Sequence, residues 1–312
     1  MNPSESAPAG RRVSNNRIQG VAPSLRRAVI PGFVLVLLSP AAASGLRAQG
    51  WWGEGGQVGE EVRTAREIPS HSTDTPNWEN PRRFRHDVFT FVRIRYDRGN
   101  FGYGRSRGGW RTDLPDSDLN LSYRLQQMTS VKVDPDGRII RLTDPELADY
   151  PFIYIVEPGG LYLNESEVRA LRKYLLNGGF LMLDDFWGER EWASMEHELR
   201  KVFPDRSFTD IPLSHPVYHC VFEIKSKAQV PNIYTGVQSQ VTGVTWERED
   251  AQVVHHRGLF DDKGRLMAIA THNTDNGDGW EREGENDYYF HTFSEKIAYP
   301  LGINIIFYAM TH

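Results

Sequence analysis

Two unbroken apolar runs constrain this chain most: Phe152-Ile153-Tyr154-Ile155-Val156 and Phe180-Leu181-Met182-Leu183. A strand with one wet face alternates apolar and polar residues. A run with no polar face must be covered on both sides, as in a parallel sheet. The residues between the runs supply the cover. Asn164 is a good helix N-cap, and Val168, Leu171, Leu175 and Leu176 form an apolar stripe at helical spacing. Gly178-Gly179 then provides the stop that a left-handed C-cap requires. Strand, helix and strand in that order imply a crossover between parallel neighbours. A further helix is expected over residues 189–202. The fold class read from this pattern is α/β, a mostly parallel sheet with helices on both faces.

The flanking segments extend the pattern. Phe89 to Tyr96 alternates and is β-branched, as a strand requires, and a helix is expected from Asp116-Ser117 onward with Leu121, Leu125 and Met128 on one face. Val131-Lys132-Val133 reads as a short strand before the turn Asp134-Pro135-Asp136-Gly137. Residues 215–224 read as partly extended. Residues 253–270 read as a hairpin turned at Asp261-Asp262-Lys263-Gly264, and residues 294–310 as an apolar helix.

Charge is unevenly placed along the 312 residues. The net charge is −5, but residues 1–48 hold six arginines and one acid, leaving 30 basic against 40 acidic residues beyond them. An acidic domain disfavours nucleic acid and anionic membrane surfaces. In residues 1–48, Arg26-Arg27 precedes an apolar stretch that ends in small residues around Ala43 and Ala48. That order predicts a secretory signal peptide, hence an exported, periplasmic or extracellular protein. Left uncleaved, the same segment would be the only membrane anchor. Residues 49–83, rich in Gly, Ser, Thr and Pro, are expected to be a flexible linker before a domain over 84–312. The single cysteine, Cys220, excludes an internal disulfide and a multi-cysteine zinc site.

Ligands of open parallel sheets bind beyond the carboxyl ends of the strands. On that rule Asp184 and Asp185, which close an apolar run, are candidate catalytic groups, suited to acid–base work or to a divalent cation. His272 and His215 are their candidate proton partners. The loop from Gly99 to Arg111 carries Arg105, Arg107 and Arg111 among glycines, with Asp113 beyond them, and is a candidate for anion binding. It matches no phosphate or dinucleotide fingerprint, so no cofactor is expected. Asp275 and Glu281, in an oxygen-rich stretch after the last expected strand, are with Asp113 further candidate ligand-binding residues. Asx turns account for that stretch, and no metal-binding spacing of the His-Glu-x-x-His kind occurs, so no metal is expected.

Several longer motifs have a familiar look: Gly178 to Asp185, Arg93-Ile94-Arg95-Tyr96, Gly108-Gly109-Trp110-Arg111-Thr112-Asp113, His215-Pro216-Val217-Tyr218, Gly277-Asp278-Gly279-Trp280-Glu281 and Gly302-Ile303-Asn304. With them, nearly all of 84–312 resembles the domain-of-unknown-function family 4159. That family is similar to class I glutamine amidotransferases and trehalose-utilisation-type domains. The resemblance implies a flavodoxin-like sandwich and supplies no reaction. Working amidotransferases place a cysteine on a sharp turn directly after a central strand. Here the comparable strand ends in Asp184-Asp185-Phe186-Trp187, and Cys220 sits in an apolar stretch, read as structural. The expected function is therefore a ligand-binding or interaction domain whose partner is a small molecule or an envelope protein. The alternative is a hydrolase of a carbohydrate or other polar small molecule that pairs a strand-end aspartate with a histidine.

Overall fold

Seven strands form the main sheet, and the two apolar runs lie side by side near its middle. The computed structural model describes residues 58–72, 74–84, 87–99 and 109–312. The signal and anchor expected over 1–48 lie outside the described residues, as do Arg105 and Arg107. The strands are β1 (Val92–Ile94), β2 (Asp97–Arg98), β3 (Arg138–Ile140), β4 (Phe152–Val156), β5 (Leu161–Tyr162), β6 (Phe180–Asp184), β7 (Thr209–Asp210), β8 (His255–Phe260) and β9 (Leu266–His272). The sheet order is β3-β1-β4-β6-β9-β8-β7, with β2 and β5 forming a separate antiparallel pair. β3, β1, β4, β6 and β9 run parallel, and β8 and β7 are antiparallel additions at one edge. Phe152 pairs with Phe180, and Val156 with Asp184, so the two central strands end at the same level.

Helices cover both faces, as the apolar runs require. Leu121 and Leu125 of α1 (Asp116–Met128) pack on the sheet face that carries Phe152, Tyr154, Phe180 and Met182. α2 (Glu165–Leu176) and α3 (Gly188–Val202) pack on the face that carries Ile153, Ile155, Leu181 and Leu183. α4 (Ile233–Thr242), α5 (Asn276–Glu281), α6 (Asp287–Tyr289) and α7 (Tyr299–Thr311) add to the first face, and a π-helical stretch, Phe290–Ala298, joins the last two. α2 shows how locally such an element is specified. Asn164 Oδ1 accepts from the Ser166 and Glu167 amides at 2.9 and 3.1 Å, and Glu167 accepts in return from the Asn164 amide at 3.0 Å. This is a capping box. Leu171 and Leu175 are fully buried, each contributing roughly 1.5–3 kcal/mol. Gly178 ends the helix at φ +107°, where a side chain would be strained.

Three expectations are corrected. Residues 58–72 and 74–83 are not a free tether, since they belong to the compact unit Gln57–His312. Ala65 is buried, Arg66 donates to the Thr75 and Pro135 carbonyls, and Trp78 Nε1 donates to the Val133 carbonyl at 2.8 Å. Val131-Lys132-Val133 contributes only a single bridge, Phe89 to Val133, and the paired strand follows the Pro-Asp-Gly turn as β3. Residues 215–224 hold a short 3-10 turn, Pro216–Tyr218, and no strand. Among the described residues no helix is long and apolar enough to cross a membrane.

Candidate acidic site at the strand ends

Side chains alternate across a strand, and this separates the two aspartates that close β6. Asp184 points to the α1 and α5 face and is fully buried. Its carboxylate accepts from Tyr154 Oη (3.2 Å), the Gly277 amide (3.0 Å), Thr271 Oγ1 (2.5 Å) and Asn276 Nδ2 (2.8 Å). Burial raises its pKa, and these four donors oppose the rise. Asp184 thus fastens the first turn of α5 to the centre of the sheet. Asp185 is half-buried and left-handed, with φ +54°. It accepts from Trp187 Nε1 at 3.0 Å.

Asp185 is one of four such residues at this end of the sheet. Glu157 (φ +49°) follows β4 directly, Asn273 (φ +63°) follows β9 directly, and Asp113 (φ +63°) precedes α1. Left-handed backbone costs a non-glycine residue roughly 1–2 kcal/mol, and such strain gathers at functional sites. Surrounding bonds hold it in place. Tyr96 Oη donates to the Val156 and Glu157 carbonyls at 2.9 and 2.8 Å, and Glu157 accepts from the Gly109 amide at 2.7 Å. Asn273 is fixed by its amide to the Phe186 carbonyl, its Nδ2 to the Val253 carbonyl and its Oδ1 to the Gly188 amide.

Carboxylates converge here. One oxygen from each of Asp113, Asp185 and Asp275 lies within 4.8 Å of the others, and a second set joins Asp113 to Asp278 and Glu281 at the same spacing. Burial, then the charge of neighbouring carboxylates, pushes Asp113, Asp185 and Asp275 well above the usual carboxylate range. Asp278 is pushed up to about 7 by burial and by Glu281. The second set carries its own cations. Glu281 pairs with His71 and, at 2.7 Å, with Arg282 Nε. Burial works against a charge on His71, but Asp116 and Glu281 outweigh it and hold the imidazolium up to about 9. Arg93 is fully buried against Asp118, donates to the Trp110 and Thr112 carbonyls at 3.0 and 2.8 Å, and so shapes the turn that leads to Asp113.

Of the residues expected at the site, Asp113, Asp185 and Asp275 come together, Glu281 meets Asp113 in the second set, and Arg111 lies half-buried in the turn before Asp113. The histidines do not. His272 points to the opposite face, between Phe186 and Trp192, with Nε2 donating to the Gly188 carbonyl at 3.0 Å and Nδ1 accepting from Arg257 at 3.1 Å. Burial pulls its pKa down to about 4, so it stays neutral near neutral pH. His215 packs against Phe260 and Tyr308, at the other end of β9, where its Nδ1 caps the Val217 amide. Neither histidine partners Asp184 or Asp185. Cys220 is half-buried, with its thiol pushed up by burial, the reverse of an activated nucleophile. His71, Glu157 and Asp278 were not singled out from the sequence. The only available signal was acid density, Asp275, Asp278 and Glu281 recurring at helical spacing.

The chain belongs to the DUF4159 family, a domain of unknown function, whose model matches residues 90–310. Comparison with curated proteins gives no match.

Proposed function

We propose that this is an exported ligand-binding domain, built on a flavodoxin-like, amidotransferase-related scaffold that lacks the nucleophilic cysteine. Counted along the chain, the parallel strands follow the order 2-1-3-4-5, the order of doubly wound sheets of that type, whose ligands sit where the order reverses. The reversal falls between β1 and β4, beside Glu157. One observation carries the reading: four strained residues, three of them acidic, lie at this end of the sheet, three of the four directly after the neighbouring strands β4, β6 and β9. Carboxylates accept hydrogen bonds, so the ligand is a small molecule rich in hydroxyl or ammonium donors. The hydrolase alternative loses both of its histidines. Thermal-shift screening of the full chain against sugars, amino acids and polyamines tests the proposal. Hits on the wild type that Asp185→Asn abolishes are expected. A complete absence of hits, or hits indifferent to Asp185, would overturn it.

A further inference from the structure

The carboxylate of Asp113 poses a specific problem. The residue is only 8% exposed, and among the described residues its Oδ2 has no hydrogen-bond partner. A buried polar atom without a partner costs roughly 1–3 kcal/mol, and more when charged. The surroundings keep room for this atom, since a Cβ added at Gly277 would come within 2.1 Å of Oδ2. The carboxylates beside it, Asp185 and Asp275, make no hydrogen bond to this atom.

We infer that Asp113, Asp185 and Asp275 form a binding site for a hard divalent cation of the calcium and magnesium class. The inference deepens the ligand-binding reading of this rim and rests on it. Three carboxylate oxygens mutually within 4.8 Å match such an ion, because calcium bonded at roughly 2.3–2.6 Å holds its oxygens no more than about 5 Å apart. All three ligands are oxygen, which selects hard cations over zinc or copper. Asp275 is already oriented, its Oδ1 accepting from the Asp278 amide at 2.7 Å, and Asp185 is oriented by Trp187. Each of these two bonds uses Oδ1. Of the three, only Asp185 is half-buried rather than buried. The neighbouring set of Asp113, Asp278 and Glu281 is the poorer site, because Arg282 and His71 already neutralise it. Three protein ligands leave coordination positions for water or for ligand hydroxyls, so the ion would bridge the protein to the molecule it binds. This departs from the expectation, on spacing alone, that no metal is held.

Calorimetric titration of the full, metal-stripped chain with calcium chloride and then magnesium chloride tests the site, with no organic ligand present. Saturable binding of one ion per chain and a raised melting temperature are expected. Asp113→Asn and Asp275→Asn should each weaken that binding on the order of tenfold or more while circular dichroism reports an unchanged fold. The Asp275→Asn variant retains a side-chain oxygen that can cap α5, so a folding defect there is avoided. Glu165→Gln, on the exposed surface of α2, should leave cation binding in place. Absence of binding by either ion, or binding that survives Asp113→Asn, overturns the site. Organic hits obtained in chelator together with no calorimetric binding of either ion sink the cation site and leave the ligand reading standing. A bound cation with no organic hit in its presence does the reverse.

Discussion

Two buried polar clusters flank the short segment between Trp110 and Asp118, and they are built on opposite principles. In one, Arg93 and Asp118 form a bidentate pair. The remaining guanidinium hydrogens go to Ser117 Oγ and to two backbone carbonyls. Charge is balanced and donors are matched, as a structural ion pair needs to be when dehydrated. In the other, Asp113 meets Asp185 and Asp275, like charges in a place almost as dry. Only the first cluster is complete in itself. In the second, burial and the neighbouring carboxylates favour the protonated form. A satisfied cluster specifies the fold, and the unsatisfied one at the strand ends is where the proposed ligand would sit.

Substitutions on the two sides should therefore differ in sign. The largest effect is expected from Arg93→Met. It strands Asp118 in the core and should cost about 3–5 kcal/mol, read as a large fall in the denaturation midpoint. A near-neutral result would break the contrast by showing the ion pair to be dispensable. His71→Ala should cost roughly 1–3 kcal/mol, because Asp116 and Glu281 lose their common partner. That loss would also show that the segment before residue 84 is part of the domain. The sign with pH follows from the raised His71 pKa. Its contribution is complete below the unfolded value of 6.5 and is lost as pH rises through about 9. Melting curves of wild type and His71→Ala should accordingly converge at alkaline pH. The smallest effect, and of opposite sign, is expected from Asp113→Asn in chelator: a gain of about 0.5–2 kcal/mol, since the variant removes a buried carboxyl group that resists ionisation. A loss instead would place Asp113 with the structural cluster.

Much of the scaffold was legible because its causes are local. Apolar runs without a polar face required a sheet covered on both sides. Asn164, with Glu167 behind it, and Gly178 set the two ends of α2 within a few residues of the capping groups. The Asp261 to Gly264 turn gave the β8–β9 hairpin. The errors have one cause as well. Residues 58–72 and 74–83 have no periodicity because they are held by side-chain bonds from Arg66, His71 and Trp78 to distant partners, which pattern reading cannot register. Residues 215–224 are apolar enough for a strand, but Asn304 of α7 binds the amides of Val221 and Phe222 and the carbonyl of Phe222. Those backbone groups are satisfied without a sheet.

For the site, sequence alone determined which residue types stand at the strand ends: acids after β6, acids after β9 and an aspartate before α1. Such placement follows from the rule that chain direction in a parallel sheet brings those ends together. Tertiary structure alone decided which face each side chain takes. Asp184 turned into the core to anchor α5, Asp185 turned out in left-handed backbone to join Asp113 and Asp275, and His272 turned to the opposite face. Strand alternation fixes that neighbours differ but not which of them faces the crevice. That choice depends on the register of β6 against β4 and β9, and on helices that the chain reaches only much later.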